Sequence, residues 1–144
     1  MCGIVGFVGS RGSIDILVDG LKRLAYRGYD SAGIAYQNGN GIEVFKTKGK
    51  INNLEEILPE QSPLINTGLG HTRWATHGAP STANAHPHSS DGVSVVHNGI
   101  IENYREVKSE LEQEGQVFLS QTDTEVVPRL IAKHLRFGFP LEDA

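Results

Sequence analysis

Cys2 is the only cysteine in the 144-residue chain and stands directly behind Met1. Removing Met1 puts a thiol and a free α-amine on one residue, a nucleophile that carries its own base. By position alone the plainer reading is a small residue at a frayed end. The rest of the chain overturns it.

Four further stretches hold residues that could work with such a nucleophile. His71-Thr72-Arg73-Trp74-Ala75-Thr76-His77-Gly78 sets one arginine among hydroxyls and small residues. A guanidinium there can hold a carboxylate through two parallel hydrogen bonds, or merely cap a loop carbonyl. Trp74 reads by default as packing. His97-Asn98-Gly99 offers an amide side chain beside a glycine N–H, two donors of the kind that build an oxyanion hole. Asn-Gly is equally a common turn pair. Thr122-Asp123-Thr124-Glu125 precedes a helical pattern, so Asp123 can offer a carboxylate to an ammonium group while Thr122 and Glu125 form a capping box. Arg27-Gly28-Tyr29-Asp30-Ser31-Ala32-Gly33 reads only as a dense polar turn. Five of the six histidines lie between His71 and His97. Asn84-Ala85-His86-Pro87-His88 resembles a metal site at first sight, but no recognised zinc spacing is present and hydrogen-bonding loop histidines are the better account.

The elements that must position these residues follow from periodicity. Gly3–Gly9 reads as a short buried strand. Behind a cap at Ser13, residues Ile14, Leu17, Val18, Leu21 and Leu24 recur at helical spacing, with a stop near Gly28. Ala32–Tyr36 and Ile42–Lys46 read as a hairpin around Asn38-Gly39-Asn40-Gly41. Asn52 or Asn53 caps a short helix that reaches Leu58 and is stopped by Pro59. Thr67–Thr72 is a strand, and Arg73 to Asp91 a polar loop long enough to be functional. Val93–His97 is a strand. Asn103 caps a helix ending near Gly115 with Val107 and Leu111 facing in, and Gln116–Leu119 is another strand. The last helix starts at Thr122 or Thr124 and carries Pro128 in or just after its first turn, where proline is tolerated.

The length suits one domain with a real core. Thirteen basic residues against seventeen acidic give a net charge of −4, which argues mildly against nucleic acid as partner. No apolar run approaches the roughly 18 residues of a membrane span, and Cys2–Val8 is too short for a signal peptide. A lone cysteine makes no internal disulfide and fits a reducing, cytoplasmic setting. Neither GxGxxG nor a Walker sequence occurs, so no nucleotide cofactor is indicated.

Together the stretches Met1–Gly6, Tyr26–Gly33, His71–Gly78, Asn84–His88, Val96–Asn103 and Thr122–Glu125 resemble the glutaminase domain of glutamine-dependent amidotransferases of the N-terminal-nucleophile class. They run in the family's order over nearly the whole chain. Tyr29, Trp74 and His88 set the chain apart from the phosphoribosyl-pyrophosphate branch, where those positions are typically Gln, Tyr and Phe, and place it with the amino-sugar branch.

The resemblance implies an α+β fold, a four-layer αββα sandwich of two mostly antiparallel sheets. It implies that Cys2, freed of Met1, is the nucleophile and its α-amine the base, and that the Asn98 side chain and the Gly99 N–H form the oxyanion hole. Arg73 would bind the α-carboxylate of L-glutamine and Asp123 its α-ammonium, with Thr76 and His77 lining the pocket and Trp74 on a loop that gates it. His86 receives no role, and neither a metal nor a cofactor is implied. Residues 1–144 would form the glutaminase domain and stop before a C-terminal sugar-phosphate isomerase domain, in a full-length homodimer that uses the ammonia to make glucosamine-6-phosphate from fructose-6-phosphate. A chain that keeps Met1 would be inactive. Three other readings stay open: an N-terminal-nucleophile hydrolase of another amide, a metal-binding module using His86, His88 and Cys2, and a regulatory domain that binds glutamine without turning it over.

Overall fold

The computed structural model describes all residues, 1–144, as six strands and four α-helices. Strands β1 (Gly3–Ser13), β2 (Ser31–Asn38), β3 (Gly41–Lys48) and β4 (Leu64–Arg73) form an antiparallel sheet in the order β1-β4-β2-β3. β5 (His88–Ser90) and β6 (Val93–Val95) form a second, antiparallel pair. Helices α1 (Ile14–Leu24) and α2 (Ile51–Glu55) cover one face of the large sheet, and α4 (Val126–Arg136) covers the small one, with α3 (Tyr104–Gln113) packed against α4. The layers thus run helix, sheet, sheet, helix, the expected sandwich.

The core lies between α1, α2 and the large sheet. Ile14, Leu17, Val18 and Leu21 line one stripe of α1 and meet Ala32, Ile34 and Tyr36 of β2, Ile65 of β4, and Ile51 and Leu54 of α2. Successive strand residues face opposite ways, so Ala32, Ile34 and Tyr36 leave Gly33 and Ala35 on the face toward the second sheet. Gly33 is required there: a Cβ would fall 2.2 Å from the carbonyl oxygen of His86. That contact lays the loop before β5 directly on β2. The hairpin expected around Asn38–Gly41 forms as a two-residue turn, held by the Asn40 N–H donating to Asn38 Oδ1 at 2.8 Å.

Several boundaries differ from the sequence reading. β1 runs on to Ser13 and carries a register irregularity between Val8 and Gly12. The 73–91 loop contains β5 at its end. No strand forms over Gln116–Leu119. Its last N–H and that of Ser120 donate to the Glu125 carboxylate, at 2.9 and 2.7 Å, instead of to a neighbouring strand. For the same reason the capping box between Thr122 and Glu125 is not made. Glu125 turns to those two amides and to Arg129 at 2.7 Å, Thr122 Oγ1 pairs with His88 Nε2 at 2.8 Å, and α4 starts later, at Val126. Burial would raise the Glu125 carboxyl, but the bonds from Ser120, Leu119 and Arg129 outweigh it and hold the pKa below the usual carboxylate value.

Candidate active site

The ends of β1 and β4 bring the nucleophile and the arginine together. Gly3 pairs with Thr72, so Cys2 falls beside the end of β4. Its Sγ accepts the Trp74 N–H at 3.1 Å and lies 3.7 Å from the Trp74 carbonyl oxygen. His71 and Arg73, two residues apart on β4, face the second sheet, while Thr72 between them faces α1, its Oγ1 beside Gly3 and Leu24. The Met1 ammonium donates to the carbonyls of Arg27 and Gly28, both at 3.0 Å. With Met1 in place the Cys2 nitrogen is an amide and cannot act as a base.

One cavity of about 240 Å³ collects most of the candidates: Cys2, Arg73, Trp74, Thr76, Gly99 and Asp123 all line it. At its wall Arg73 is only 3% exposed. Its Nη2 donates to the carbonyls of His77 and Gly78, the latter at 3.1 Å, whereas its buried Nη1 has no partner. Burial lowers the guanidinium pKa, opposed by the charges of Asp30, Cys2 and Asp123. Asp123, also 3% exposed, accepts the Ile101 N–H on Oδ2 at 2.7 Å. Trp74 is 55% exposed, and its indole stands over Gly28.

Two expected residues are placed differently. His77 does not line the cavity. Its carbonyl serves Arg73, and its ring packs edge-on against Tyr104 with centroids 5.5 Å apart. The Asn98 side chain does not line the cavity either, although its neighbour Gly99 does. Asn98 Oδ1 faces His71 Nε2 at 2.7 Å. Gly99 has φ +151, and a Cβ there would sit 2.8 Å from His97 Nε2, so the turn needs glycine.

The sequence reading missed three contributors. Asp30, inside the polar turn, accepts the Ala75 N–H on Oδ2 at 2.5 Å and so ties down the loop after Arg73. His71, His86 and His88 form a buried column with ring centroids 4.5 and 4.6 Å apart. Burial keeps all three neutral: His71 is lowered to about 4 and His88 to about 3, and His86 lies further below its ordinary value. Lys46 holds the loop that carries His86, donating from Nζ to the carbonyls of Ala85, Ala83 and Pro87 at 2.9, 3.2 and 3.3 Å. The density of polar residues in 27–33 and of histidines in 71–97 was the available signal, but neither says which atoms meet. No group of three His, Cys, Asp or Glu side chains is arranged to hold a metal ion.

Known proteins match this chain over its length. Residues 58–135, just over half of it, match the glutamine amidotransferase domain family. A glutamine–fructose-6-phosphate aminotransferase (isomerizing) of Bradyrhizobium diazoefficiens is 54% identical over the whole chain, which covers 24% of that protein. The protein of the same description from Helicobacter pylori is 55% identical over 94% of the chain and 23% of its own length. Among solved structures, the glutamine phosphoribosylpyrophosphate amidotransferase of B. subtilis, complexed with ADP and GMP, superposes with a TM-score of 0.77 at 29% identity. That match covers 99% of the chain and 31% of the other. The chain therefore spans about a quarter of the length of these curated relatives. The higher identity to the aminotransferases agrees with the branch indicated by Tyr29, Trp74 and His88. With more than half its residues matched by the family's model and its fold shared with a solved amidotransferase, the chain belongs to the glutamine amidotransferase domain family.

Proposed function

We propose that this domain hydrolyses the side-chain amide of L-glutamine through a thioester on Cys2. The observation that carries the reading is the shared cavity. A thiol, an arginine with a free buried Nη1 and a buried aspartate line one small space. Opposite charges at fixed places suit the two charged groups of a free amino acid, which a simple amide lacks.

In this reading the Arg73 Nη1 takes the α-carboxylate and Asp123 the α-ammonium through the oxygen not committed to Ile101. Loss of Met1 frees the Cys2 amine, which takes the thiol proton as sulfur attacks the amide carbon. Negative charge develops on the amide oxygen, and the Gly99 N–H donates to it together with the amide of Asn98, which lies beside the cavity-lining His71 and Gly99 and reaches the oxygen as the site closes on substrate. Removing one donor of such a hole typically costs roughly 10²–10³ in rate. The C–N bond breaks, the amine's proton leaves with ammonia, and a γ-glutamyl thioester remains. Water, deprotonated by the same amine, cleaves the thioester to glutamate and returns the thiol. Arg73 and Asp123 contribute by orientation. Thr76 lines the pocket, His77 supports it through the loop carbonyl, and the exposed Trp74 covers it.

The reading extends to the longer protein. There the ammonia would pass to a C-terminal sugar-phosphate isomerase domain that makes glucosamine-6-phosphate in the cytoplasm, as the names and lengths of the relatives support. Intact mass after incubation with a thiol-reactive glutamine analogue tests the core of it. One adduct on a chain that begins at Cys2, blocked by excess glutamine, is expected. An adduct that glutamine does not block, or full glutaminase activity with Met1 intact, would sink it.

A further inference from the structure

We infer that His71 is a positioning residue whose ring N–H sets the orientation of the Asn98 amide, and with it the donor that the oxyanion hole requires. This rests on the glutaminase reading and deepens it. His71 is fully buried on β4, and its Nε2 lies 2.7 Å from Asn98 Oδ1. An amide oxygen only accepts, so Nε2 must carry the proton. The ring is neutral near pH 7, since burial lowers its pKa to about 4 against the opposing hydrogen bonds to Asn98 and to the His97 backbone, and it therefore has a single N–H to give, whose close side-chain acceptor is Asn98 Oδ1. Its Nδ1 is buried with no partner. In the other tautomer, with Asn98 flipped, Nδ1–H would be a buried donor without an acceptor, a costlier orphan than a bare lone pair.

The tautomer therefore fixes the amide. With Oδ1 held toward β4, the Asn98 NH₂ must point away from His71. Asn98 is exposed and follows a strand that ends at Val95, and the bond to His71 is the one protein hydrogen bond its side chain makes. The ring is itself held by the tilted packing of His86 at 4.5 Å. This gives the histidine column a task that neither proton transfer nor metal binding would explain: its neutral members hold one N–H in one place.

The test uses the intact protein freed of Met1, with kcat and KM for glutamine and the Kd of glutamate measured for each variant. His71→Leu should lower kcat by about 10²-fold while KM and Kd move by less than about threefold. His71→Gln places an amide NH₂ near the Nε2 position and should recover at least about tenfold of that loss. In an Asn98→Ala background, His71→Gln should cause no further fall in kcat, because the group it acts through is gone. Should His71→Leu fail to fold, the cycle between His71→Gln and Asn98→Ala still decides. Independent, multiplying losses in that cycle, a loss confined to KM, or wild-type kcat in His71→Leu would each overturn the inference. Wild-type protein that releases no glutamate would instead overturn the glutaminase reading beneath it.

Discussion

The backbone N–H of Trp74 donates to Cys2 Sγ at 3.1 Å, joining residues 72 positions apart in the chain. The thiol is therefore held by main chain at the edge of the cavity, and few side chains depend on it. Cys2→Ala should abolish glutamine hydrolysis while changing the unfolding free energy by no more than about 0.5 kcal/mol, as for a surface substitution. Cys2→Ser should still bind glutamine with little turnover, because a hydroxyl is far harder to ionise than a thiol. Ammonia release and urea unfolding measured together check both. Substantial release by Cys2→Ala would exclude covalent catalysis.

Arg73 has two tasks that one substitution removes together. Nη2 holds the carbonyls of His77 and Gly78, while the buried Nη1 has no protein partner to compete with a substrate carboxylate. Arg73→Ala should lower kcat/KM for glutamine by about one to two orders of magnitude, from a charged hydrogen bond worth roughly 1.5–3 kcal/mol. Arg73→Lys should restore only part, since an ammonium lacks the planar fork that serves both sides. A glutamine analogue with a neutral amide for its α-carboxylate separates the tasks. Arg73→Ala should penalise the analogue much less than glutamine, the remaining penalty being the share of the loop support, and an equal penalty on both would leave Arg73 as a loop support alone.

Lys46 is the anchor of the loop that delivers His86. Three carbonyls share its Nζ, and burial lowers its pKa against the opposing charge of Glu125. Lys46→Met fills similar space but leaves those acceptors unserved, at a cost of about 2–3 kcal/mol. A shift in the urea midpoint without loss of slope is the expected readout. An unchanged midpoint would mean that water replaces the ammonium.

The histidine column makes stability depend on pH. His71, His86 and His88 have pKa values lowered by burial, to about 4 and about 3 for the outer two, from an ordinary value of 6.5. Below pH 6.5 the unfolded chain takes up protons that the folded chain refuses, so stability falls as the pH falls, and the loss from His71 is complete near pH 4. With three such groups the slope approaches about 4 kcal/mol per pH unit between pH 6 and 5. Urea midpoints across that window should drop steeply, and a flat profile would show that the column is hydrated or opens locally.

Features that depend on near neighbours in the chain are legible in the sequence. The apolar stripe Ile14-Leu17-Val18-Leu21 declares α1 because its spacing matches the helical turn, and Asn38–Gly41 declares the hairpin because the turn needs those residue types. Cys2, Arg73, Gly99 and Asp123 were legible as chemistry from their types and motifs, and the structure lines one cavity with them. Pairing across the chain is set by the packed fold instead. Gln116–Leu119 has the look of a strand, yet the Glu125 carboxylate takes its last amide and no strand partner lies alongside. Asn98 and His71 read separately as a turn residue and a histidine near the end of a strand. Their 2.7 Å contact exists because β4 and the segment after β6 are brought together from 27 residues apart. Spacing along the chain carries no record of which ring nitrogen faces which amide oxygen. That is set by burial, which keeps His71 neutral, and by packing, which brings its Nε2 to 2.7 Å from the Asn98 amide oxygen.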